Sequence, residues 1–266
     1  MSFNKTSLEK SDTLAWPTIT QGNLKVILAS SEKEVMAAQR LRYDVFYEEM
    51  GAIANKETLE TKLDRDTLDA YCDHLLVIDE EENNKVIATY RLLREEKAKK
   101  VGSFYTASEY DILPILNYCG QTLELGRSCV AKEYRSQPTA KLLWRGLGAY
   151  ITLYDIDLLF GCASFTGTDI KEHALILSYL YHNHLAPATI RPRTLDKHFV
   201  DMNIIPADAI DKRKAFVSLP PMIKAYLRTG GFVGDGAFID HQFNTTDVCI
   251  IVKTDLIKGR YKKHYF

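Results

Sequence analysis

The stretch Leu123-Glu-Leu-Gly-Arg-Ser-Cys-Val130 decides the fold class of this 266-residue chain. Its alternation of apolar residues is typical of a strand, and Gly126 in its middle indicates a β-bulge. Glu124 and Arg127 differ in parity, so a regular strand would direct them to opposite faces, whereas a bulge brings both to one face. A bulge also frees a backbone N–H to donate to a carbonyl oxygen. An internal ion pair beside a packing glycine is an equally open interpretation.

The segments around this strand predict an α/β (α+β) fold in which helices flank a mixed central sheet. Strands are predicted at 24–28, 73–79, 85–93, 123–130, 158–165, 232–239 and 246–253. Helices are predicted at 31–49, after a capping box of Ser31 and Glu34, then after the cap Thr139, at 169–182, and from the Pro220-Pro221 pair to Gly230. The charged run 95–100 is predicted to be a surface loop.

The chain divides into an arm and one domain. Residues 1–22 show no periodicity and are predicted to form an N-terminal arm, and residues 23–266 are predicted to form a single domain. The segment 184–220 carries four prolines and is predicted to be an insertion with broken structure. Its side chains cannot be placed from the sequence.

Composition excludes several classes of protein. Hydrophobic residues make up 46% and charged residues 26% of the chain, and the net charge of −1 argues against a nucleic-acid binder. No apolar run approaches the roughly 20 residues of a membrane span, and the polar start is unlike a signal peptide, so we expect a cytoplasmic protein. The five cysteines include no C-x-x-C pair, and His182 and His184 lack further ligands at metal-binding spacing, so no metal site is predicted.

Two further features point to charged ligands. Arg42 lies on the apolar face of the first helix and therefore needs a carboxylate or a bound anion. A basic loop with Lys132 and Arg135 leads into the helix that carries Thr139 and Lys141, and this strand–loop–helix order suits an anionic phosphate.

These elements together resemble the Gcn5-related N-acetyltransferase (GNAT) superfamily and, more closely, the bacterial L-ornithine Nα-acyltransferases, often labelled hemolysin-like. The likeness runs from about residue 40 to the C-terminus. The segments that carry it are Leu41-Arg-Tyr-Asp-Val-Phe46, Cys72-Asp-His-Leu75, Thr89-Tyr-Arg-Leu-Leu93, Leu123-Glu-Leu-Gly-Arg-Ser-Cys-Val130, Leu159-Phe-Gly-Cys-Ala-Ser-Phe165, His184-Leu-Ala-Pro187, Ile223-Lys-Ala-Tyr-Leu-Arg-Thr-Gly-Gly-Phe232 and Phe243-Asn-Thr-Thr-Asp-Val-Cys249.

The resemblance implies the reaction and its partners. It implies transfer of a 3-hydroxyacyl group from the phosphopantetheine thioester of an acyl-carrier protein to an amino acid, with ornithine as the expected acceptor and a lyso-lipid amide as product. No permanently bound cofactor is implied. The arginine and phenylalanine four apart in the similar acyl-homoserine-lactone synthases match Arg42 and Phe46, and their glutamate and arginine three apart match Glu124 and Arg127.

The expected site follows from that match. Glu124 is the expected base, and Arg127 and Arg42 are expected to hold the acceptor carboxylate or to pair with Glu124. The set expected to bind substrate is Phe46, Asp66, Asp69, Ser128 and Cys129, and the set expected to bind phosphopantetheine or carrier is Lys132, Arg135, Thr139 and Lys141. Asp66 or Asp69 is expected to receive the side-chain ammonium of ornithine.

One departure bears on the donor. The run Arg135-Ser-Gln-Pro-Thr-Ala140 has a proline where acetyl-CoA enzymes of the superfamily carry a glycine, and proline has no N–H for a diphosphate. This favours a carrier protein over CoA. The alternatives are an acetyl-CoA-dependent N-acetyltransferase and a non-catalytic, membrane-acting protein. The basic tail Lys258–Lys263 is either a solvated end or a contact with acidic carrier or with the inner membrane face.

Overall fold

The computed structural model describes residues 15–135 and 137–261. Its strands are β1 (Ile19–Gln21), β2 (Leu24–Leu28), β3 (Asp73–Asp79), β4 (Lys85–Arg94), β5 (Tyr110–Asp111), β6 (Gln121–Val130), β7 (Ile156–Thr166), β8 (Arg193–Thr194), β9 (Phe232–Val233), β10 (Phe238–Asp240) and β11 (Thr245–Lys253). Its α-helices are α1 (Glu32–Tyr43), α2 (Lys56–Thr61), α3 (Glu95–Val101), α4 (Leu113–Leu116), α5 (Gln137–Leu153), α6 (Ile170–His184), α7 (Lys212–Ser218), α8 (Pro221–Arg228) and α9 (Thr254–Tyr261).

Nine of these strands build one sheet. Their order is β1-β2-β3-β4-β6-β7-β11-β10, with β9 beside β11, while β5 and β8 form a separate pair. Every neighbour in the large sheet is antiparallel except β6 and β7, which run parallel. The predicted mixed sheet flanked by helices is confirmed. The division into an arm and a single domain stays a prediction.

Helix α1 covers one face of the sheet. The capping box is confirmed, because the Glu34 N–H donates to Ser31 Oγ (3.3 Å) and the Ser31 N–H donates to the Glu34 carboxylate (3.1 Å). Ala38 and Leu41 of α1 share a buried cluster with Leu76 of β3. The last turn of the predicted helix, Asp44–Glu49, is a π-helix that continues directly from α1. The 3.6-residue period does not reveal this change.

Helix α5 covers the opposite face. Leu142 and Leu147 pack in one buried cluster with Leu75 and Val77, which alternate along β3 with the residues that face α1. Helix α8 belongs to the same cluster through Ile223. The central strands are therefore buried on both faces.

Three expectations for individual elements are wrong. Ile19–Gln21, placed in the arm, pairs with β2 as an edge strand. The run at 95–100 forms α3, since Glu, Lys and Ala are strong helix formers, and Gly102 ends it in the left-handed conformation (φ 102°). Thr139 does not cap α5, because the helix already begins at Gln137 and Thr139 lies buried inside it.

The segment 184–220 is anchored by its own buried side chains. It holds β8, α7 and short 3-10 turns, and its anchors Met202, Ile210, Ala215 and Leu219 belong to the large core cluster. Beyond it, the predicted strand at 232–239 divides into β9 and β10. No helix in the described part of the chain is both long enough and apolar enough to cross a membrane.

Candidate active site

The predicted bulge in β6 is confirmed and lies directly after Gly126. Arg91 of β4 stands opposite Gly126, and Thr89 stands opposite Cys129, so two residues of β6 face one residue of β4. The two bulged residues are Arg127 and Ser128. Arg127 adopts a left-handed backbone (φ 51°), a conformation that costs free energy in a residue other than glycine and persists only where its surroundings hold it.

Strands β6 and β7 separate at the level of the bulge. Their parallel ladder ends at the pair Glu124–Phe160, while β7 continues to Thr166 beside β11. From Leu125 onward, β6 has no ladder partner on the β7 side in the described structure. Backbone N–H groups in this gap are therefore available to a ligand.

A cavity of about 500 Å³ fills the gap between the two strands. Residues of both parities line it, as expected for an opening that runs through the sheet. Its apolar wall includes Val45, Phe46, Met50, Leu93, Leu125, Met222 and Ile223, and its polar lining includes Glu124, Arg127, Ser128, Arg135, Asp240 and Asp247. An elongated apolar chain with a polar head matches this division.

Glu124 and Arg127 both line the cavity, as the bulge predicts. The Glu124 carboxylate accepts hydrogen bonds from the N–H of Tyr105 (2.9 Å), the N–H of Thr106 (2.7 Å) and the Thr106 hydroxyl (2.6 Å). Burial raises the pKa of Glu124, and these hydrogen bonds partly offset the rise. A carboxyl whose pKa is raised is a stronger base when ionised.

Arg42 is fully buried and does not line the cavity. Its guanidinium donates to the carboxylates of Asp64 (2.8 Å) and Asp69 (2.9 Å). Burial alone would raise the pKa of Asp69, but the hydrogen bonds and charges of Arg42 and Arg91 hold it well below its usual range. The helix arginine has the carboxylate partners that its spacing requires, and it acts on the cavity only through other side chains.

Two more arginines complete this ion network. Arg91 pairs with Asp66 (2.7 Å) and Asp69 (3.2 Å). Arg127 approaches Asp64 (3.4 Å) and Asp66 (3.8 Å). Three guanidiniums thus meet three carboxylates between α1, β4 and β6. Asp66 and Asp69, the expected acceptor site, are held by arginines and do not line the cavity.

Aromatic rings hold the guanidinium of Arg127 at the cavity. Its central carbon lies 4.8 Å from the Tyr105 ring centre and 4.6 Å from that of Phe243. Phe46 packs edge-on against Phe243 at 6.0 Å. Phe46 is thus part of the cavity wall, as expected for a substrate-binding residue. Arg127 lines the cavity and has longer ion-pair contacts than Arg42 or Arg91.

The bulge also places Ser128 and Cys129 on the cavity wall. Burial raises the pKa of the Cys129 thiol to about 12, so it is neutral and unsuited to nucleophilic attack. Burial likewise raises the pKa of Cys162, another lining residue, well above its usual value. Both thiols serve as small apolar surfaces.

The four residues expected to hold phosphopantetheine differ in their surroundings. Arg135 lines the cavity and binds the Glu49 carboxylate (2.6 Å), which ties the end of β6 to the π-helical turn. Lys132 and Lys141 are exposed. Thr139 is wholly buried, and its assignment to carrier binding stays a prediction. Residues 262–266, at the end of the basic tail, lie outside the described residues.

Sequence reasoning missed one acidic cluster. Glu109, Asp240 and Asp247 are buried and bring their carboxylate oxygens within 4.8 Å of one another, a grouping compatible with a metal ion. The expectation of no metal site rests on the cysteines and histidines and leaves these carboxylates out. The available signal is Asp247, an ionisable residue directly before the apolar run 248–252 of strand β11. Arg91 gives a similar signal, because it is a charged residue among the apolar residues of β4. Asp64 lies outside the helices and strands, so the sequence pattern does not single it out as a member of the network.

Comparison with known proteins agrees with this architecture. A family model described as "Acetyltransferase (GNAT) domain" matches residues 41–145. The L-ornithine N(alpha)-acyltransferase of Brucella abortus (strain 2308) is 46% identical over 252 residues, which cover 92% of this chain and 89% of that protein. The enzyme of the same name from Agrobacterium fabrum (strain C58) is 44% identical over 250 residues, covering 92% and 85%.

Among solved structures, FeeM, an N-acyl amino acid synthase from uncultured soil microbes, is similar with a TM-score of 0.49 and 10% identity, covering 89% of this chain and 94% of that one. The sequence relatives confirm the resemblance on which the expected reaction class rests. The protein is an N-acyltransferase, and the chain belongs to the L-ornithine N(alpha)-acyltransferase family.

Proposed function

We propose that this enzyme transfers a 3-hydroxyacyl group from the phosphopantetheine thioester of an acyl-carrier protein to the α-amine of ornithine, giving a lyso-ornithine lipid. The observation that carries the proposal is the bulge at Arg127 and Ser128, which opens β6 beside the buried carboxylate Glu124. The names of relatives more than 40% identical support ornithine as acceptor. The polar and apolar walls of the cavity suit an amino acid and an acyl chain.

The reaction needs no acyl-enzyme. The lone pair of the acceptor nitrogen forms a bond to the thioester carbon, and the carbonyl electrons move onto oxygen, where backbone N–H groups at the bulge stabilise the charge. Collapse of this intermediate breaks the C–S bond and releases the carrier thiol. Glu124 takes the proton from nitrogen and returns it to the departing sulfur. Arg127 holds the acceptor carboxylate.

A carrier protein suits the donor side better than CoA. Arg135 is already bound to Glu49, and Pro138 lacks an N–H at the start of α5, so few donors remain for a diphosphate. A carrier-bound phosphopantetheine has only a single phosphodiester. We also propose that the enzyme is cytoplasmic. It contacts the inner membrane face peripherally, because its acylated product partitions into lipid.

The test is product mass spectrometry of the purified enzyme with 3-hydroxyacyl carrier protein, acetyl-CoA and a pool of amino acids. We expect N-acyl ornithine made from the carrier donor. An amide of another amino acid would keep the reaction class and change the acceptor. Acetylated amines alone would indicate an acetyl-CoA enzyme, and the absence of any amide would contradict acyl transfer.

The same assay tests Glu124 as the base. Glu124→Gln keeps the shape of the side chain but removes its basicity, so we expect turnover to fall about 10²- to 10⁴-fold. Glu133→Gln is the matched control, since Glu133 is exposed and forms a salt bridge with Lys85 on the surface. A Glu124→Gln variant with near-normal turnover would remove Glu124 from the mechanism.

A further inference from the structure

Three carboxylates that play no part in the mechanism above meet in one buried cluster, hereafter the acidic cluster. Glu109 follows the turn that binds Glu124, Asp240 ends β10, and Asp247 lies in β11. They are only 2%, 8% and 5% exposed, and their oxygens lie within 4.8 Å of one another. Like charges at this separation repel strongly in a buried environment.

Two of the three carboxylates have oxygens without a donor. Asp240 Oδ1 accepts from the N–H groups of Gln242 (2.8 Å) and Phe243 (2.9 Å). Both oxygens of Glu109 and Oδ1 of Asp247 accept no hydrogen bond in residues 15–135 and 137–261, although both side chains are more than nine-tenths buried. Among these residues no Lys, Arg or His forms a salt bridge with the three carboxylates, and Arg127 pairs with Asp64 and Asp66 instead. Buried oxygens without donors are costly unless a ligand supplies them.

The electrostatics agree with a site that favours a cation. Burial raises the pKa of Glu109, and the charge of Asp247 adds to the rise. Cys162 and Tyr105 partly offset it, but neither reaches hydrogen-bond geometry with Glu109. Burial also raises the pKa of Asp247, against smaller opposing effects of nearby hydroxyls and Arg127.

The cluster opens into the cavity that holds Glu124. Asp240 and Asp247 line this cavity, whereas Glu109 is not among its lining residues. Asp247 pairs with Ser164 and Glu124 pairs with Phe160, so both side chains project from the same face of the sheet. Along β7 the two positions are four residues apart, about 13 Å, and they lie on opposite sides of β7, which adds about 10 Å across the sheet. The acidic cluster and Glu124 therefore border one cavity at separate places.

We propose that the acidic cluster binds the side-chain ammonium of a cationic amino-acid acceptor and thereby selects it over neutral amino acids. An ammonium has three N–H donors, one for each carboxylate. Asp66 and Asp69 are unsuited to this role because arginines already neutralise them. The inference rests on the proposed acyl transfer to ornithine, whose second amine lies three methylene groups beyond its α-carbon.

The test compares L-ornithine with L-norvaline, which has the same carbon skeleton without the second amine. For Asp247→Asn and Glu109→Gln we expect kcat/KM to fall about 30-fold or more for ornithine, the effect of truncating one partner of a buried charge pair. Values for norvaline should stay within about threefold. Asp235→Asn is the control, because Asp235 pairs with Arg193 beside the cluster and does not line the cavity.

We expect these variants to fold at neutral pH. The pKa of Glu109 is higher in the folded than in the unfolded chain, so the folded state is favoured at low pH and loses this stability as pH rises through the folded pKa. Glutamine removes the ionisation and its cost. Melting temperatures of the variants should therefore equal or exceed that of the wild type at neutral pH.

Several outcomes would overturn the proposal. Equal losses for ornithine and norvaline would indicate a catalytic or structural role, and a wild type with no preference for ornithine would exclude a selectivity site. Loss of ornithine binding on chelation, restored by a divalent metal, would identify a metal site instead. If the wild type forms no amide at all, the proposed function fails, and calorimetric binding of ornithine to wild type and Asp247→Asn then tests the cluster by itself.

Discussion

At the scale of single residues, the ion network between α1, β4 and β6 shows how charge is tolerated inside this protein. Arg42 has no exposed surface, and Asp64 and Asp69 balance its charge. A buried ion pair adds little net stability over an apolar pair, but removal of one member leaves an uncompensated charge that is strongly destabilising. The network therefore makes its members interdependent and holds Arg127 at the cavity.

This interdependence predicts a large effect of Arg42→Met. We expect the free energy of unfolding to fall by about 3–5 kcal/mol, measured by urea denaturation, because Asp64 and Asp69 lose their partner. Arg40→Met is the matched control, two residues away, where a half-exposed arginine pairs with Asp44 and a change below about 0.5 kcal/mol is expected. Equal effects at both positions would contradict the role of the network.

Some of these residue roles follow from local spacing and some do not. Helical spacing alone places Arg42 on the buried face and Arg40 in solvent, and the structure agrees. Spacing does not reveal which carboxylates pair with Arg42. The sequence therefore leaves Asp66 and Asp69 as candidates to bind the side-chain ammonium of the acceptor, whereas arginines pair with them in the structure. Partners brought together by tertiary packing leave no periodic signal in the sequence.

At the scale of elements, the gap between β6 and β7 depends on how closely the two strands approach just before it. Gly161 of β7 faces the backbone of β6, and a Cβ there would collide with the carbonyl oxygen of Leu125. Gly126 marks the bulge in the sequence. A Cβ added at Gly126 would have room, because the nearest atom would be Arg91 Nε at 4.0 Å. The close approach is thus on the β7 side.

Alanine substitutions separate these two glycines. Gly161→Ala should lower stability by about 1–3 kcal/mol, as overpacking does, and should disturb the cavity wall. Gly126→Ala should be neutral or stabilising by about 0.4–1 kcal/mol, because alanine restricts the unfolded chain. Thermal unfolding of both variants checks this, and a more damaging change at Gly126 would contradict the described register.

Element boundaries with a strong local signal could be predicted, and others could not. The Ser31 capping box and the bulge near Gly126 are local and were read correctly. The π-helical turn that carries Phe46 keeps an apolar pattern close to that of an α-helix, so it escaped notice. The high charge of residues 95–100 favours a surface loop, but the strong helix propensity of Glu, Lys and Ala forms α3 there.

At the scale of the whole molecule, the cavity joins parts of the chain that are far apart in sequence. Val45 and Phe46 come from the π-helical turn, Met222 from α8, and Asp247 from β11. The acidic cluster likewise joins Glu109 to two residues of the C-terminal strands. No single segment contains all three carboxylates, so the cluster as a whole could not be predicted from the sequence. The helices and strands of the fold leave local patterns, and these could be predicted.

The proposed roles of these residues give the acceptor a direction. The bulge with Glu124 and the acidic cluster lie at separate places on one cavity. We therefore expect an acceptor whose side-chain ammonium occupies the cluster to present its α-amine to the thioester and its α-carboxylate to Arg127. An acceptor bound the other way round would be acylated on its side chain.

The most direct measurement is tandem mass spectrometry of the product formed from ornithine labelled with ¹⁵N at the α-nitrogen only. The account predicts that the amide carries the labelled nitrogen and that the free amine is unlabelled. An amide on the unlabelled side-chain nitrogen would contradict the placement of the acceptor, and the absence of any amide would contradict the proposed reaction itself.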